Sequence, residues 1–304
     1  MKLKNKRVLV YGLGKSGIAT IKFLLEKKAK VFFYDDDARV FQDFEHEGVT
    51  RFVLSFHIAK IDLVIVSPGV YNSHIIRLFD IAEVKIINEI ELAYNFVKKG
   101  KIIAITGTNG KTTTTTLIKD IFENAGKRTV ACGNIGVPFI SVIDKDSPDQ
   151  FFIIELSSFQ LERLEKFCPN VSAIINISPD HLNRHKNLEN YTKLKFNIAK
   201  KQKKDDMCII NSNLSQFEKL TFNNNVKKLF FGNENSAGHL VDDNIYILGK
   251  RFCKLSDLGL NKNENIENYL VSIVIARLYG INNEVIISTI KNFKKEPHRI
   301  ELIG

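Results

Sequence analysis

Long apolar runs are missing from this sequence, and no stretch approaches the roughly 18–20 residues that a membrane-spanning helix needs. Cysteine is scarce. Cys132, Cys168, Cys208 and Cys253 lie far apart, with no CxxC pair and no Cys/His metal spacing. That pattern excludes a disulfide framework and a zinc site and leaves reduced, partly buried thiols. The basic N-terminus (Lys2, Lys4, Lys6, Arg7) is followed by an apolar run, Val8–Tyr11, too short for a signal-peptide core. The expected location is the cytoplasm. No repeat of fixed period is present, and biased composition is confined to the Asn-rich stretches Asn223–Asn225 and Asn261–Asn268.

What is present is ordinary for a globular protein: 304 residues, 44% hydrophobic and 26% charged. The length predicts two domains. A net charge of +10 would suit nucleic acid or an anionic small molecule. The lysines, however, are spread along the chain and alternate with Asn and Ile, so no nucleic-acid surface and no membrane contact is expected.

Strand and helix patterns alternate. Arg7–Tyr11, Lys30–Tyr34 and Asp62–Val66 read as strands, Lys15–Lys28 and Asn88–Lys98 as helices, and Lys98-Lys99-Gly100 as a boundary. A second series follows, with strands at Lys101–Ile105, Arg128–Ala131, Phe151–Ile154, Val171–Ile175 and Met207–Ile210. A helix opens at Gly110, Val226–Leu255 reads as a small antiparallel extension, and Asn265–Tyr279 and Asn282–Phe293 read as helices. Such alternation predicts an α/β protein with parallel, doubly wound sheets.

Three motifs carry chemistry. Thr106-Gly107-Thr108-Asn109-Gly110-Lys111-Thr112-Thr113 lies between a strand and a helix. Its glycines let backbone amides approach phosphate oxygens at a helix N-terminus, Lys111 can reach the β/γ-phosphates, and the Thr112 hydroxyl suits Mg²⁺. The usual P-loop would need glycine where this chain has Ile105. Gly12-Leu13-Gly14-Lys15-Ser16-Gly17 is a second phosphate turn, with Asp35 near the spacing of a ribose-binding acid. Alone it would indicate a nicotinamide dehydrogenase; with a second phosphate loop it indicates two phosphorylated ligands. Glu155-Leu156-Ser157-Ser158-Phe159-Gln160 and Ser178-Pro179-Asp180-His181 each follow a strand, where parallel sheets gather ligands. Glu155 and His181 are therefore candidates for Mg²⁺ beside the phosphate loop. His46, His57, His74, His185 and His239 have no identifiable partners in the sequence.

Taken in order, Gly107–Thr112, Gly133-Asn134-Ile135-Gly136, Glu155–Leu161, Asp180-His181, Lys195 and Pro297-His298-Arg299 resemble the Mur ligases, the ATP-dependent amide ligases of bacterial cell-wall synthesis. Glu155–Leu161 and Gly133–Gly136, with Gly12–Gly17 and Ser67-Pro68-Gly69, resemble the branch that adds D-glutamate. The resemblance implies a Rossmann-like UDP-substrate-binding domain over residues 1–97, a central P-loop ATPase-type domain over 98–297, and a stub of a third domain over 298–304. It implies ATP, UDP-N-acetylmuramoyl-L-alanine and D-glutamate as substrates, with Mg²⁺, in two sites, as cofactor.

By matching position, Gly107, Thr108, Asn109, Gly110, Lys111, Thr112, Thr113, Asn265, Asn268 and Arg299 would hold ATP. Gly14, Ser16, Asp35, Ser67, Pro68, Gly69, Asn134 and Ser157 would hold the UDP substrate. Thr112, Glu155, His181 and Lys195 would serve the metal, and Lys111, Lys195 and His181 the reaction. Lys195 matches a carbamylated lysine: an ammonium beside Mg²⁺ would be repelled, whereas a desolvated neutral amine can capture CO₂ and become an anionic ligand. Three departures stand out. Glu264 replaces a histidine, Asp37 stands where an arginine is usual with Arg39 displaced, and the sequence stops at Gly304, directly after Pro297-His298-Arg299. The resemblance therefore implies a ligase that adds D-glutamate through an acyl phosphate and is expected to be inactive alone as a truncated chain; the alternative is a nucleotide- and UDP-sugar-binding remnant, or half of a split enzyme working with a separate C-terminal domain.

Overall fold

Runs of Val, Ile and Phe between glycine turns fold as strands of two largely parallel sheets. The computed structural model describes residues 1–37, 39–40, 47–71, 73–214, 226–261 and 265–293. The chain forms two compact units. The first comprises Met1–Gly100, Cys132–Ser147 and Ser157–Phe167; the second comprises Lys101–Ala131, Pro148–Leu156 and Cys168–Gly304.

In the first unit β1 (Arg7–Tyr11) lies at the centre of a five-stranded sheet with β2 (Lys30–Tyr34), β3 (Val49–Arg51), β4 (Leu63–Val66) and β5 (Ile86–Asn88), in the order β3-β2-β1-β4-β5. All neighbours are parallel. A parallel strand covered on both faces must be apolar throughout, and Val8–Tyr11 are fully buried. Helices α1 (Lys15–Glu26), α2 (Leu54–His57), α3 (His74–Ile81) and α4 (Glu89–Tyr94) connect the strands. Ser73 caps α3 and Asn88 caps α4, each accepting a backbone N–H in the first turn. Leu9, Tyr11, Phe52, Val64, Ile75 and Phe79 form the core.

Two expected helices are shorter than their sequence patterns. Helix α1 ends at Glu26 because Lys28 takes a left-handed φ of 58°. The pattern 88–98 gives only Glu89–Tyr94, since the amides of Lys98, Lys99 and Gly100 donate to the Asp146 carboxylate instead of continuing a helix. Buried acids tie in the later segments of this unit. Glu91 accepts from the backbone N–H of Glu165, Lys166 and Phe167 at 3.0–3.1 Å, and Glu89 from that of Ile140 at 2.5 Å. A buried carboxylate without such donors would be strongly unfavourable.

The second unit is built on β6 (Lys101–Thr106), β7 (Arg128–Gly133), β8 (Gln150–Glu155), β9 (Val171–Ile174), β10 (Met207–Asn211), β11 (Lys227–Gly232), β12 (Gly238–Val241), β13 (Asn244–Ile247) and β14 (Lys250–Lys254). The order is β14-β13-β12-β11-β10-β9-β6-β8-β7. Helices α5 (Lys111–Asn124), α6 (Leu182–His185), α7 (Leu188–Phe196), α8 (Ile266–Leu278) and α9 (Asn283–Asn292) complete it. Helix α8 is buried on most of its circumference and packs with α5 through Leu117, Ile121, Val271 and Val274. The expected antiparallel extension holds for β12, β13 and β14, but β11 runs parallel to β10. Alternation of β-prone residues does not encode strand direction; the continuing parallel edge at β10 supplies it. All four cysteines are free, as expected. Among the described residues no helix is long and apolar enough to cross a membrane.

Candidate active site

In the first unit, the Gly12–Gly17 turn, the first along the chain of the two expected to take phosphate, sits at the carboxyl ends of β1, β2 and β4. Gly12 has φ 96°, and a Cβ there would meet Ser67 Cβ at 2.6 Å. A Cβ on Gly17 would lie 1.9 Å from the Gly12 carbonyl oxygen. At Gly14, the N-cap of α1, none of the described residues lies within 4 Å of where a Cβ would be. Two glycines therefore close the turn and the middle one leaves room for an approaching group, the division of labour a pyrophosphate needs at a helix N-terminus.

Asp35 holds this turn: its carboxylate accepts from Leu13 N at 2.6 Å and from Asp37 N at 2.9 Å. Ser67 Oγ donates to the Gly12 carbonyl at 2.8 Å, while Gly69 is exposed, with none of the described residues within 4 Å of where its Cβ would be. Ser16 lies half-buried in the first turn of α1, and Pro68 in the turn after β4. The displaced Arg39 reaches back to Asp37, Nη2 to Oδ2 at 3.1 Å, and holds that carboxyl below its ordinary range. Asn134 is exposed in a loop closed by Gly133 N donating to Val137 O at 3.0 Å. Ser157 is locked by Gln160, whose Oε1 accepts from both Ser157 N and Ser157 Oγ.

In the second unit, the Gly107–Thr113 loop, the second along the chain of the two expected to take phosphate, connects β6 to α5. Gly110, at φ 76°, abuts a buried asparagine: a Cβ there would lie 2.3 Å from Asn268 Oδ1. Among the described residues that oxygen is buried without a hydrogen-bond partner. Asn265 is exposed at the start of α8, and Thr113 is half-buried in the first turn of α5. Lys111 Nζ folds back onto the loop, donating to the carbonyls of Gly107 at 3.0 Å and Thr108 at 2.8 Å. Lys195 Nζ, on α7, donates to the same Gly107 carbonyl at 2.8 Å. Burial, aided by the nearby Lys111 charge, brings Lys195 down to about 7. Thr112 Oγ1 donates to Glu155 Oε2 at 2.8 Å.

A hydroxyl and a carboxylate in contact at the loop are hard oxygen donors of the kind Mg²⁺ takes beside phosphate, so Thr112 and Glu155 fit the ion. His181, left-handed at φ 49°, starts α6 with Nε2 3.5 Å from Asp180 Oδ2. Among the described residues no three His, Cys, Asp or Glu side chains gather as a metal cage. Arg299 and Glu264 lie outside the described residues.

Sequence reasoning missed Asn176 and Tyr191. Asn176 Oδ1 accepts from the amides of Thr108 (3.0 Å) and Asn109 (2.9 Å), fixing the loop from the end of β9. Tyr191 approaches Thr108 Oγ1 at 3.2 Å. Asn176 stands two residues before the noticed Ser178-Pro179-Asp180, and Tyr191 one helical turn before Lys195, so proximity to a motif was the available signal. Of the unassigned histidines, His57 accepts from Val53 N, His185 packs on Tyr191, and His239 stacks on Tyr246. His74 begins α3, and His46 lies outside the described residues.

The sequence model of the Mur ligase middle domain matches residues 105–276, and that of the Mur ligase MurD-like N-terminal domain matches 6–87. The chain belongs to the Mur ligase family. Among its relatives, the UDP-N-acetylmuramoylalanine–D-glutamate ligase of Thermoanaerobacter sp. (strain X514) is 38% identical over 325 residues, covering 100% of this chain and 70% of that protein. The ligase of the same name from Alkaliphilus oremlandii (strain OhILAs) is 39% identical over 321 residues, with the same coverage. The structure of the UDP-N-acetylmuramate:L-alanyl-gamma-D-glutamyl-meso-diaminopimelate ligase from Neisseria meningitides shares the Mur ligase fold, with a TM-score of 0.61 at 17% identity. It covers 95% of this chain and 98% of that one.

Proposed function

We propose that this Mur ligase joins D-glutamate to UDP-N-acetylmuramoyl-L-alanine at the expense of ATP. The observation that carries the reading is the cluster around one phosphate loop: Lys111 and Lys195 on the Gly107 carbonyl, and Thr112 on Glu155. The relatives' common name supplies the substrates.

The alanyl carboxylate attacks the γ-phosphorus of ATP, giving an acyl phosphate and ADP. The amine of D-glutamate then attacks the acyl carbon, phosphate leaves with the bonding pair, and the amine gives up a proton. Phosphoryl transfer depends on positioning and charge neutralisation. Lys111 leaves the loop carbonyls for the phosphates, and the loop amides cradle them. Thr112 and Glu155 would hold Mg²⁺, which neutralises developing charge on phosphate oxygens.

Lys195 carries a carbamate in this reading. Its buried amine is readily neutral, so its lone pair can add to CO₂ with loss of a proton. The remaining N–H still suffices for the Gly107 carbonyl. His181 lies beside Asp180 on the same loop as the end of β9 and completes the proposed set. In the first unit Gly14, Ser16, Asp35, Ser67–Gly69, Asn134 and Ser157 take the UDP substrate.

The test is calorimetry with ATP·Mg²⁺ and with UDP-N-acetylmuramoyl-L-alanine, followed by D-glutamate-dependent phosphate release. Since the chain spans 70% of these relatives' length, release is measured with and without the C-terminal domain of the Thermoanaerobacter ligase added. Phosphate release requiring both D-glutamate and the UDP substrate supports the reading. Failure to bind the UDP substrate, or release indifferent to D-glutamate in both mixtures, overturns it.

A further inference from the structure

The side chains of Tyr191 and Lys195 stand one turn apart on α7, and both engage the second phosphate loop. Tyr191 is 1% exposed and Lys195 1%, so both are packed against fixed surroundings. The tyrosine hydroxyl lies 3.2 Å from Thr108 Oγ1. Thr108 Oγ1 in turn accepts from Ser178 N at 3.1 Å and is placed to donate to the Ser178 carbonyl at 3.2 Å. With the threonine proton directed to Ser178, the phenol is the donor to Thr108. The same ring presents its face to Lys195 Nζ, 4.6 Å from the centroid, while that nitrogen donates to Gly107 O. His185 packs tilted on the ring at 5.2 Å between centroids, so the ring is held from a second helix as well.

We infer that Tyr191 is a positioning residue for the phosphate loop: its hydroxyl sets Thr108, and its ring sets the height of the Lys195 amino group above the Gly107 carbonyl. The inference rests on the reading that this loop takes ATP. Gly107 and Thr108 are consecutive, and a single helix face holds one by a carbonyl and the next by a hydroxyl. The loop amides that follow are thereby presented in a fixed direction before any phosphate arrives. Preorganised donors need no rearrangement on binding, so loosening them weakens the nucleotide without altering the contacts it finally makes.

Two variants separate the hydroxyl from the ring. Tyr191→Phe keeps the packing on His185 and the platform under Lys195 and removes only the donor to Thr108. One neutral hydrogen bond corresponds to about a 2- to 10-fold change in affinity. ATP and ADP should therefore bind the purified chain about 2- to 10-fold more weakly by calorimetry, with unchanged affinity for UDP-N-acetylmuramoyl-L-alanine and a thermal midpoint lowered by no more than a few degrees. Amide exchange at Thr108 and Asn109 should quicken in the nucleotide-free protein. Tyr191→Leu should weaken nucleotide further and, in the ligation assay, lower kcat as well as raising KM for ATP.

Wild-type ATP affinity in a folded Tyr191→Phe protein overturns the inference, as does equal weakening of ATP and UDP substrate, which would mark a general packing defect. If the wild-type chain binds no ATP at all, the functional reading fails first. The two failures are thus distinguishable.

Discussion

Gly14→Ala should separate binding from stability in the first unit. Gly14 has φ −66° and ψ −176°, backbone that any residue adopts, and none of the described residues lies within 4 Å of the position a Cβ would take. The stability terms are small and opposed. Losing glycine freedom from the unfolded chain favours the variant by about 0.4–1 kcal/mol, whereas alanine is a poorer N-cap than glycine by up to about 1 kcal/mol. Their sum is near zero. The neighbouring Gly17→Ala is the contrast, because its Cβ would sit 1.9 Å from the Gly12 carbonyl oxygen and the turn must move. Such overpacking costs about 1–3 kcal/mol or more. If a pyrophosphate approaches the α1 N-terminus, the methyl of Gly14→Ala occupies its path and binding of UDP-N-acetylmuramoyl-L-alanine should fall at least about tenfold, about 1.4 kcal/mol. Urea unfolding gives the stability and calorimetry the affinity. Wild-type affinity in Gly14→Ala would refute the placement of phosphate at this turn. An unfolded Gly14→Ala would refute the steric reasoning itself.

Two further predictions concern charge. Lys111→Ala should weaken ATP binding by about 100-fold, the worth of a charge-assisted contact to phosphate, with UDP-substrate affinity unchanged by calorimetry. Glu89→Gln should flatten the pH dependence of stability. Burial raises the Glu89 carboxyl to about 7 from 4.5, against the opposing Ile140 N–H bond. A carboxyl raised on folding contributes stability that is present below pH 4.5 and lost as pH climbs through 7, by roughly 3 kcal/mol in all. The wild type should therefore lose about that much more than Glu89→Gln between pH 4.5 and 8 in urea unfolding. Parallel pH profiles would rule it out.

The elements most legible in the sequence are those whose cause is local. The apolar run Val8–Tyr11 requires a buried strand, and Gly107–Thr113 declares a strand-to-helix turn within a few residues. What escaped the sequence is held by partners far along the chain. Asn176 binds amides 67 and 68 residues away, Tyr191 a hydroxyl 83 residues away, and Glu91 amides 74 to 76 residues away. Nothing in the composition around Glu91 shows that its side chain is an anion capped by three backbone donors rather than a solvated helix residue. The same limit explains why Ser157–Phe167, contiguous with β8, belongs by packing to the first unit: Asn88 and Glu91 hold it. The direction of β11 was likewise unreadable, since pairing with β10 decides it.

The two phosphate turns differ in which charge already occupies them, and that difference bears on what each can receive. At the first, an acid is the incumbent: Asp35 takes the Leu13 amide, so an anion must come to the open side at Gly14, while the free lone pairs of the carboxylate suit hydroxyl donors such as those of a ribose. A nucleoside diphosphate, with few charges and many hydroxyls, meets both conditions. At the second, a cation is the incumbent: Lys111 lies on the Gly107 carbonyl, and burial together with the Lys111 charge favours the neutral form of the neighbouring Lys195 amine. An arriving triphosphate draws Lys111 from the loop carbonyls to its oxygens. Its own excess charge then calls for the cation that Thr112 and Glu155 can hold. Exchanging the ligands would place a triphosphate against Asp35 and leave Lys111 underused. Under the proposed function, the polarity of the incumbents therefore assigns the UDP substrate to the first turn and ATP to the second.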